Sequence, residues 1–123
     1  MQKQESDQLI SYLDRIIEST LAGDMVWAKV NPTTYTWSTD KPKIAKFTLQ
    51  QVIIRRVMRS GGGISTEKKH LLQVRNDTGI EVLATDGADD SAVINRLSTA
   101  FEAAAASVTR KGLDFLNEVL PHK

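Results

Sequence analysis

The chain has 123 residues, of which 41% are apolar and 25% charged, with a net charge of +1 and no cysteine. This composition is that of an ordinary folded domain, and the lack of cysteine excludes disulfides, thiol chemistry and cysteine-ligated zinc. The length suits one domain over residues 1–123, long enough to remove roughly two thirds of its unfolded surface from water.

The first predicted element is an amphipathic helix that ends near Leu21. Its apolar residues recur at intervals of three and four and therefore share one face: Leu9, Ile10, Leu13, Ile16, Ile17 and Leu21. Ser6 or Asp7 is expected to cap the start of this helix, and Gly23 to end it in the left-handed conformation.

The middle of the chain is predicted to form strands. Residues 25–30 and 33–38 flank a turn at Asn31-Pro32. A longer extended stretch over residues 44–58 is apolar on both faces around Val52 to Ile54, which predicts cover on both sides or a bulge. Shorter strands at 71–74 and 80–84 flank the turn at 76–79, where Gly79 can adopt a positive φ.

A long helix is predicted to close the chain. Asp89, Asp90 or Ser91 caps its start, and Pro121 ends it. About thirty helical residues make a rod of roughly 45 Å, longer than a small sheet needs as cover. We expect its outer part to pair with the same helix of a second chain in a twofold dimer. The expected interface residues are Leu113, Phe115, Leu116 and Val119. The alternative is a kink at Gly112 that folds the end back onto its own sheet.

Together these elements predict an α+β domain with an N-terminal helix, a meandering antiparallel sheet of four to five strands, and a long C-terminal helix packed on the sheet. One face of that sheet is left for a partner. The helix, Gly23-Asp24-Met25-Val26-Trp27, the segment from Asn31 to Trp37, and Thr48-Leu49-Gln50 resemble features of small bacterial and phage proteins of unknown function. The resemblance is architectural, covers most of the chain, and implies a bacterial or phage origin without any catalytic residue.

Positive charge is concentrated in residues 41–75, which hold nine Lys and Arg and one acid, Glu67. This segment has a charge of +8, and its flanks have charges of −3 and −4. Such a segment either attracts an anionic partner or is neutralised by the acidic flanks. The candidate phosphate-binding residues are Arg55, Arg56, Arg59, Lys68 and Lys69. Exposed aromatic rings would add base stacking, whereas buried ones would belong to the core; the rings in question are Tyr35, Trp37 and Phe47.

Three further patterns are weaker. Gly61-Gly62-Gly63 lacks the following Gly-Lys-Ser/Thr of a phosphate loop and is predicted to be a hairpin tip. The acids Asp86, Asp89 and Asp90 lack calcium-loop spacing and are expected to form a turn and a helix cap. His70 beside Glu67 or Ser65 could act as a base, but no nucleophile motif surrounds it.

The sequence therefore predicts a non-enzymatic interaction protein that acts on another macromolecule through its sheet or its long C-terminal helix, as a homodimer. The alternative is nucleic-acid or nucleotide-phosphate binding through residues 41–75. No cofactor and no metal site are expected. The chain has no run of about 18 apolar residues, and MQKQESDQ lacks the pattern of a secretory signal, so we expect no membrane association and a cytoplasmic location.

Overall fold

The computed structural model describes residues 3–39, 44–57 and 61–121. These residues form a helix, five strands and a second helix, which confirms the predicted α+β class. In chain order the elements are α1 (Lys3–Leu21), β1 (Ala28–Asn31), β2 (Thr34–Ser38), β3 (Ala45–Val57), β4 (Ile64–Asn76), β5 (Glu81–Thr85) and α2 (Ser91–Val119).

The sheet is an antiparallel meander in which each strand pairs with its neighbour in the chain. Strands β3 and β4 pair along their whole length without a break, from Ala45 opposite Asn76 to Val57 opposite Ile64. By contrast, β2 pairs only with residues 46–50, and β5 only with residues 72–75. The far end of the β3–β4 hairpin therefore extends beyond the other strands, and we call residues 52–57 and 64–69 the hairpin arm.

Both helices lie on the same face of the sheet. The ring of Phe101 in α2 packs edge-on against Tyr35 of β2, with centroids 5.4 Å apart. The core joins Leu49 and Leu72 of the sheet to residues of both helices, including Leu13 and Leu97. No described element covers the opposite face, which we call the open face.

The first helix begins at Lys3, so the prediction that Ser6 or Asp7 caps it was wrong. Ser6 lies inside the helix and is buried, and its hydroxyl donates a hydrogen bond of 2.5 Å to Asp90 Oδ2. A serine that pairs with a distant carboxylate has the same local sequence as a capping serine, which explains the error. The predicted end is confirmed, because Gly23 adopts a φ of +84° just after Leu21.

The second helix is capped by Asp90, whose Oδ1 accepts hydrogen bonds from the N–H groups of Ala92 and Val93. It runs unbroken through Gly112 to Val119. Residues 109–121 are all exposed, so the end of α2 does not fold back onto the sheet, and the alternative of a kink at Gly112 was wrong.

The double cover expected around Val52 to Ile54 was also wrong. The register of β3 with β4 has no bulge, and Ile53 is 48% exposed. The reason is that α2 reaches the hairpin at His70, where Phe101 contacts the histidine ring, while the arm continues past this point. Val52, Ile53 and Ile54 therefore have Lys69, Lys68 and Glu67 as their cross-strand neighbours, and no described helix covers them.

Candidate interaction surfaces

The last three turns of α2, together with its C-cap residue Leu120, carry an exposed apolar surface. At about 100° per residue, five apolar side chains and Gly112 occupy one half of the helix circumference. We call this surface the distal face; its side chains are 47–61% exposed and belong to Leu113, Phe115, Leu116, Val119 and Leu120. All four interface residues predicted from the sequence lie on it. An exposed apolar group of this size on one helix is typical of a contact surface for another protein.

Charged residues occupy the other half of the same helical segment. Lys111 and Glu118 are seven residues apart and therefore lie on one edge of the distal face, next to Phe115. Neither forms an ion pair with another described residue. The distal face thus has one edge with a cation at its start and an anion near its end.

The register of the β3–β4 hairpin places the predicted phosphate-binding residues on different faces of the sheet. Ile53 stands opposite Lys68 and Arg55 opposite Thr66, so Arg55 and Lys68 are diagonal neighbours on the face that carries the helices. Lys69 pairs with Val52 and lies on the open face. Arg59 and the side chain of Arg56 lie outside the described part of the chain. The basic residues of the arm therefore do not share one face.

The described cations of the arm form no ion pair with the described residues of the acidic flanks. Arg55 and Lys68 are exposed, and neither they nor Lys69 pair with a described acidic side chain. An ion pair within the flanks joins Asp14 of α1 to Arg96 of α2, with a separation of 3.4 Å.

The aromatic residues belong to the core and not to a stacking platform. Tyr35 is buried, and Trp37 and Phe47 are half-buried with ring centroids 5.4 Å apart. Phe47 lies eight residues along β3 from Arg55, a separation of roughly 27 Å. These rings cannot stack on a strand bound at the hairpin arm.

The predicted hairpin tip and helix cap are confirmed. Gly61 and Gly62 have positive φ angles, and a strand, not a helix, begins at Ile64, so the segment is not a phosphate loop. Asp90 caps α2, and Asp86 Oδ1 accepts a hydrogen bond from the N–H of Ala88 in the preceding turn.

His70 lies on the opposite face of the sheet from Ser65 and Glu67, the two residues that the sequence suggested as its catalytic neighbours. Alternation along β4 places His70 on the helix side of the sheet and Ser65 and Glu67 on the open face. The histidine ring lies 5.1 Å from the ring of Phe101, and its Nε2 is 3.2 Å from Gln51 Nε2. Burial lowers the pKa of His70, and this effect exceeds the opposing attraction of Glu102.

A cavity of about 450 Å³ lies between α1 and the sheet, and sequence analysis did not predict it. Its walls include Ile16, Met25, Trp37, Phe47 and Val74. Burial patterns identify apolar faces but not the gaps between the elements that carry them, so no sequence signal marks such a cavity.

Comparisons with family models, with curated proteins and with solved structures find no match to this chain. The resemblance to small bacterial and phage proteins stays a prediction. Within residues 3–39, 44–57 and 61–121, no helix has the length and apolar character needed to cross a membrane. In the same ranges, no three His, Asp or Glu side chains form a group able to hold a metal ion.

Proposed function

We propose that this chain is a non-enzymatic interaction protein that works as a homodimer, joined through the distal face of α2. The observation that carries this proposal is the unbroken continuation of α2 beyond the core, with five large apolar side chains exposed on one side. Exposed apolar surface costs free energy in water, and pairing two such helices removes it from solvent.

A second copy of the chain is favoured as the occupant because the distal face is complementary to itself. In an antiparallel twofold pair, each edge of one helix meets the same edge of the other, run in the opposite direction. Lys111 then lies level with the partner's Glu118, and the pair occurs twice. The same alignment sets Leu113 level with the partner's Leu116, so charge and apolar contacts agree on one register.

Gly112 supports this arrangement. It lies near the centre of the distal face, and a Cβ atom built there meets no atom of the chain within 4 Å. A glycine inside a helix costs roughly 1 kcal/mol relative to alanine. In the paired helices its missing side chain allows close approach of the partner backbone, which offsets that cost.

Self-association through α2 leaves the open face of the sheet accessible for a macromolecular partner. Three half-buried aliphatic side chains lie there on the hairpin: Val52, Ile54 and Leu71. Their cross-strand neighbours on this face are polar: Lys69 opposite Val52, Glu67 opposite Ile54 and Gln50 opposite Leu71. In the dimer this surface is present twice, which raises the avidity for any partner that can reach both copies.

The test of the dimer is sedimentation velocity on the wild-type chain and on Phe115→Asp. The wild type is expected to sediment as a dimer, and Phe115→Asp as a monomer, because a carboxylate replaces the largest apolar side chain of the distal face. Loss of an aromatic residue that is buried on association costs about 2 kcal/mol, which corresponds to a roughly thirtyfold weaker dimer.

The matched control is Asn117→Asp, which adds the same charge two residues away on the polar half of the helix. It is expected to remain dimeric. A monomeric wild type, or equal dissociation of the two variants, would contradict the proposal.

A second candidate function is binding of nucleic acid through the hairpin arm. The observation that favours it is that Arg55 and Lys68, diagonal neighbours on the arm, are exposed and form no ion pair with a described residue. Two such cations can contact successive phosphates of a strand that follows the arm.

A further inference from the structure

The cavity between α1 and the sheet has one wall made by the helix and a floor made by the strands. Apolar side chains from α1 and from strands β2 to β5 line it, among them Leu9, Ile16, Trp37, Phe47 and Leu72. Its volume of about 450 Å³ is within the usual range for small-molecule sites, roughly 300–1,000 Å³. It is thus large enough to hold a ligand and is not a packing void.

The helix α1 packs closely on α2 and stands farther from the sheet than α2 does. No Cα atom of α1 lies within 8 Å of a Cα atom in any described strand, whereas α2 approaches β1, β2, β3 and β4 within that distance. Trp37, Phe47 and Val74, which line the cavity, are accordingly only half-buried. A cavity of this kind loses the dispersion contacts that an apolar ligand would supply.

An irregularity in β5 shapes the outer wall. The pairing shifts between Val74 opposite Leu83 and Arg75 opposite Glu81, which leaves Val82 as an extra residue. A bulge turns consecutive side chains to the same side. Both Val82 and Leu83 line the cavity, and both are exposed at its opening.

The polar groups of the cavity lie on one edge of α1. Tyr12, Arg15 and Ser19 follow each other at intervals of three and four residues, and all three line the cavity. Arg15 is exposed and forms no ion pair with another described residue, while its neighbour Asp14 pairs with Arg96. The cavity therefore joins an apolar interior to one uncompensated guanidinium and two hydroxyl groups.

We propose that this cavity binds a free single-chain amphiphile, with its apolar tail inside and its anionic head group at Arg15. The guanidinium pairs with a carboxylate or sulfate head, and the hydroxyls of Tyr12 and Ser19 donate further hydrogen bonds to it. The proposal is independent of the dimer, since none of the distal-face residues lines the cavity.

The dimensions favour a single monomeric chain over a membrane surface. At about 30 Å³ for a water-sized group, the cavity holds roughly 15 such groups, comparable to one chain of about twelve carbons. A site recessed between a helix and a sheet admits one tail that enters from solvent. A bilayer would instead require a broad apolar or basic surface.

The probe is dodecanoate, titrated into the full chain by calorimetry below the concentration at which it forms micelles. We expect saturable binding at one site per chain, with a dissociation constant on the order of 100 µM or tighter, the affinity that one acyl chain provides. Each methylene removed from the probe should raise the dissociation constant about fourfold, because burial of one methylene typically contributes a factor of about four to an equilibrium constant.

Two variants locate the site, each with a matched control. Val82→Trp fills the opening and should abolish binding, whereas Val30→Trp, an equally exposed strand residue outside the cavity, should not change it. Arg15→Gln should weaken dodecanoate about fivefold, as expected for a partly solvated ion pair, and leave dodecanol unaffected. Arg110→Gln, an exposed helical arginine elsewhere, should change neither.

Several outcomes would overturn the proposal. They are no binding of dodecanoate, unchanged binding in Val82→Trp, or equal affinity for dodecyltrimethylammonium, which has the same tail and a cationic head. If Val82→Trp fails to fold, amide shifts of the wild type decide, and ligand-induced shifts confined to α2 beyond residue 108 would count against the cavity. Sedimentation with anionic phospholipid vesicles but no binding of free dodecanoate would assign the contact to a membrane and reject the proposal.

Discussion

A single buried threonine connects the end of α1 to the start of the sheet. Thr20 Oγ1 accepts a hydrogen bond from Trp27 Nε1 at 2.9 Å and donates one to the carbonyl of Ile16 at 2.7 Å. Trp27 is 2% exposed and lies before β1, outside any strand. The indole N–H therefore depends on this one hydroxyl, because water does not reach it.

We predict that Thr20→Val lowers the free energy of unfolding by about 1–3 kcal/mol, the cost of a buried donor without an acceptor. Valine keeps the branched shape of threonine, so little of the loss comes from packing. Urea denaturation followed by tryptophan fluorescence measures the change.

Thr99→Val is the control for this substitution. Thr99 is also a helical threonine bonded to a carbonyl four residues earlier, but it is exposed and accepts no indole. Its effect should stay within about 0.5 kcal/mol. Equal effects of the two substitutions would mean that the indole bond contributes nothing to stability.

At the scale of the elements, the periodicity of apolar residues predicted the two helices, because each helix buries one apolar face. The spacing of Leu9, Leu13 and Ile16 identified α1, and the stripe through Leu97 and Phe101 identified α2, because both helices bury one side. The start of β4 was missed by seven residues, since residues 64–70 carry polar side chains on both faces of an arm that nothing covers. The strand is held there by pairing with β3, a long-range contact that leaves no local pattern.

Some features of the candidate surfaces could likewise be predicted from the sequence, and others depend on long-range packing. The exposure of Phe115 and Leu116 could be predicted because an apolar stripe continues past the length that one sheet can cover. The separation of Lys68 from Lys69 onto opposite faces follows from alternation only once β4 is known to begin at Ile64. The cavity depends on how high α1 stands above the sheet, which is set by the packing of two helices far apart in sequence.

The antiparallel register of the proposed dimer can be tested by exchanging charges on α2. Lys111→Glu and Glu118→Lys should each weaken the dimer, because each replaces two attractive pairs by two repulsive ones. With up to about 1 kcal/mol for a solvent-exposed pair, two pairs correspond to a roughly tenfold or larger rise in the dissociation constant.

The double variant Lys111→Glu with Glu118→Lys is expected to recover wild-type affinity, since the pairs form again with their signs reversed. Sedimentation equilibrium in low salt measures all four chains. In 1 M salt the differences should nearly vanish through screening. Additive losses in the double variant would exclude the antiparallel register while leaving association through Phe115 possible.

At the scale of the whole molecule, the exposed cations and the exposed apolar surface lie on different elements. The hairpin arm presents Arg55 and Lys68, and the end of α2 presents the distal face. The net charge of +1 provides almost no overall attraction for a polyanion, so any binding of nucleic acid has to come from local cations. This makes the arm testable by substitutions that keep the net charge of the variants equal.

Fluorescence anisotropy of labelled single- and double-stranded oligonucleotides tests this second candidate. If Arg55 and Lys68 each contact a phosphate, the affinity should fall with salt at a log–log slope of about −1.4 to −1.8 per chain. Arg55→Glu with Lys68→Glu should abolish the binding, because both phosphate contacts become repulsive. Arg15→Glu with Lys29→Glu changes the net charge by the same amount away from the arm and should retain most of it. Absence of binding at low salt would show that the cations of the arm are a solvated surface, and equal losses in the two double variants would show that only the overall charge matters.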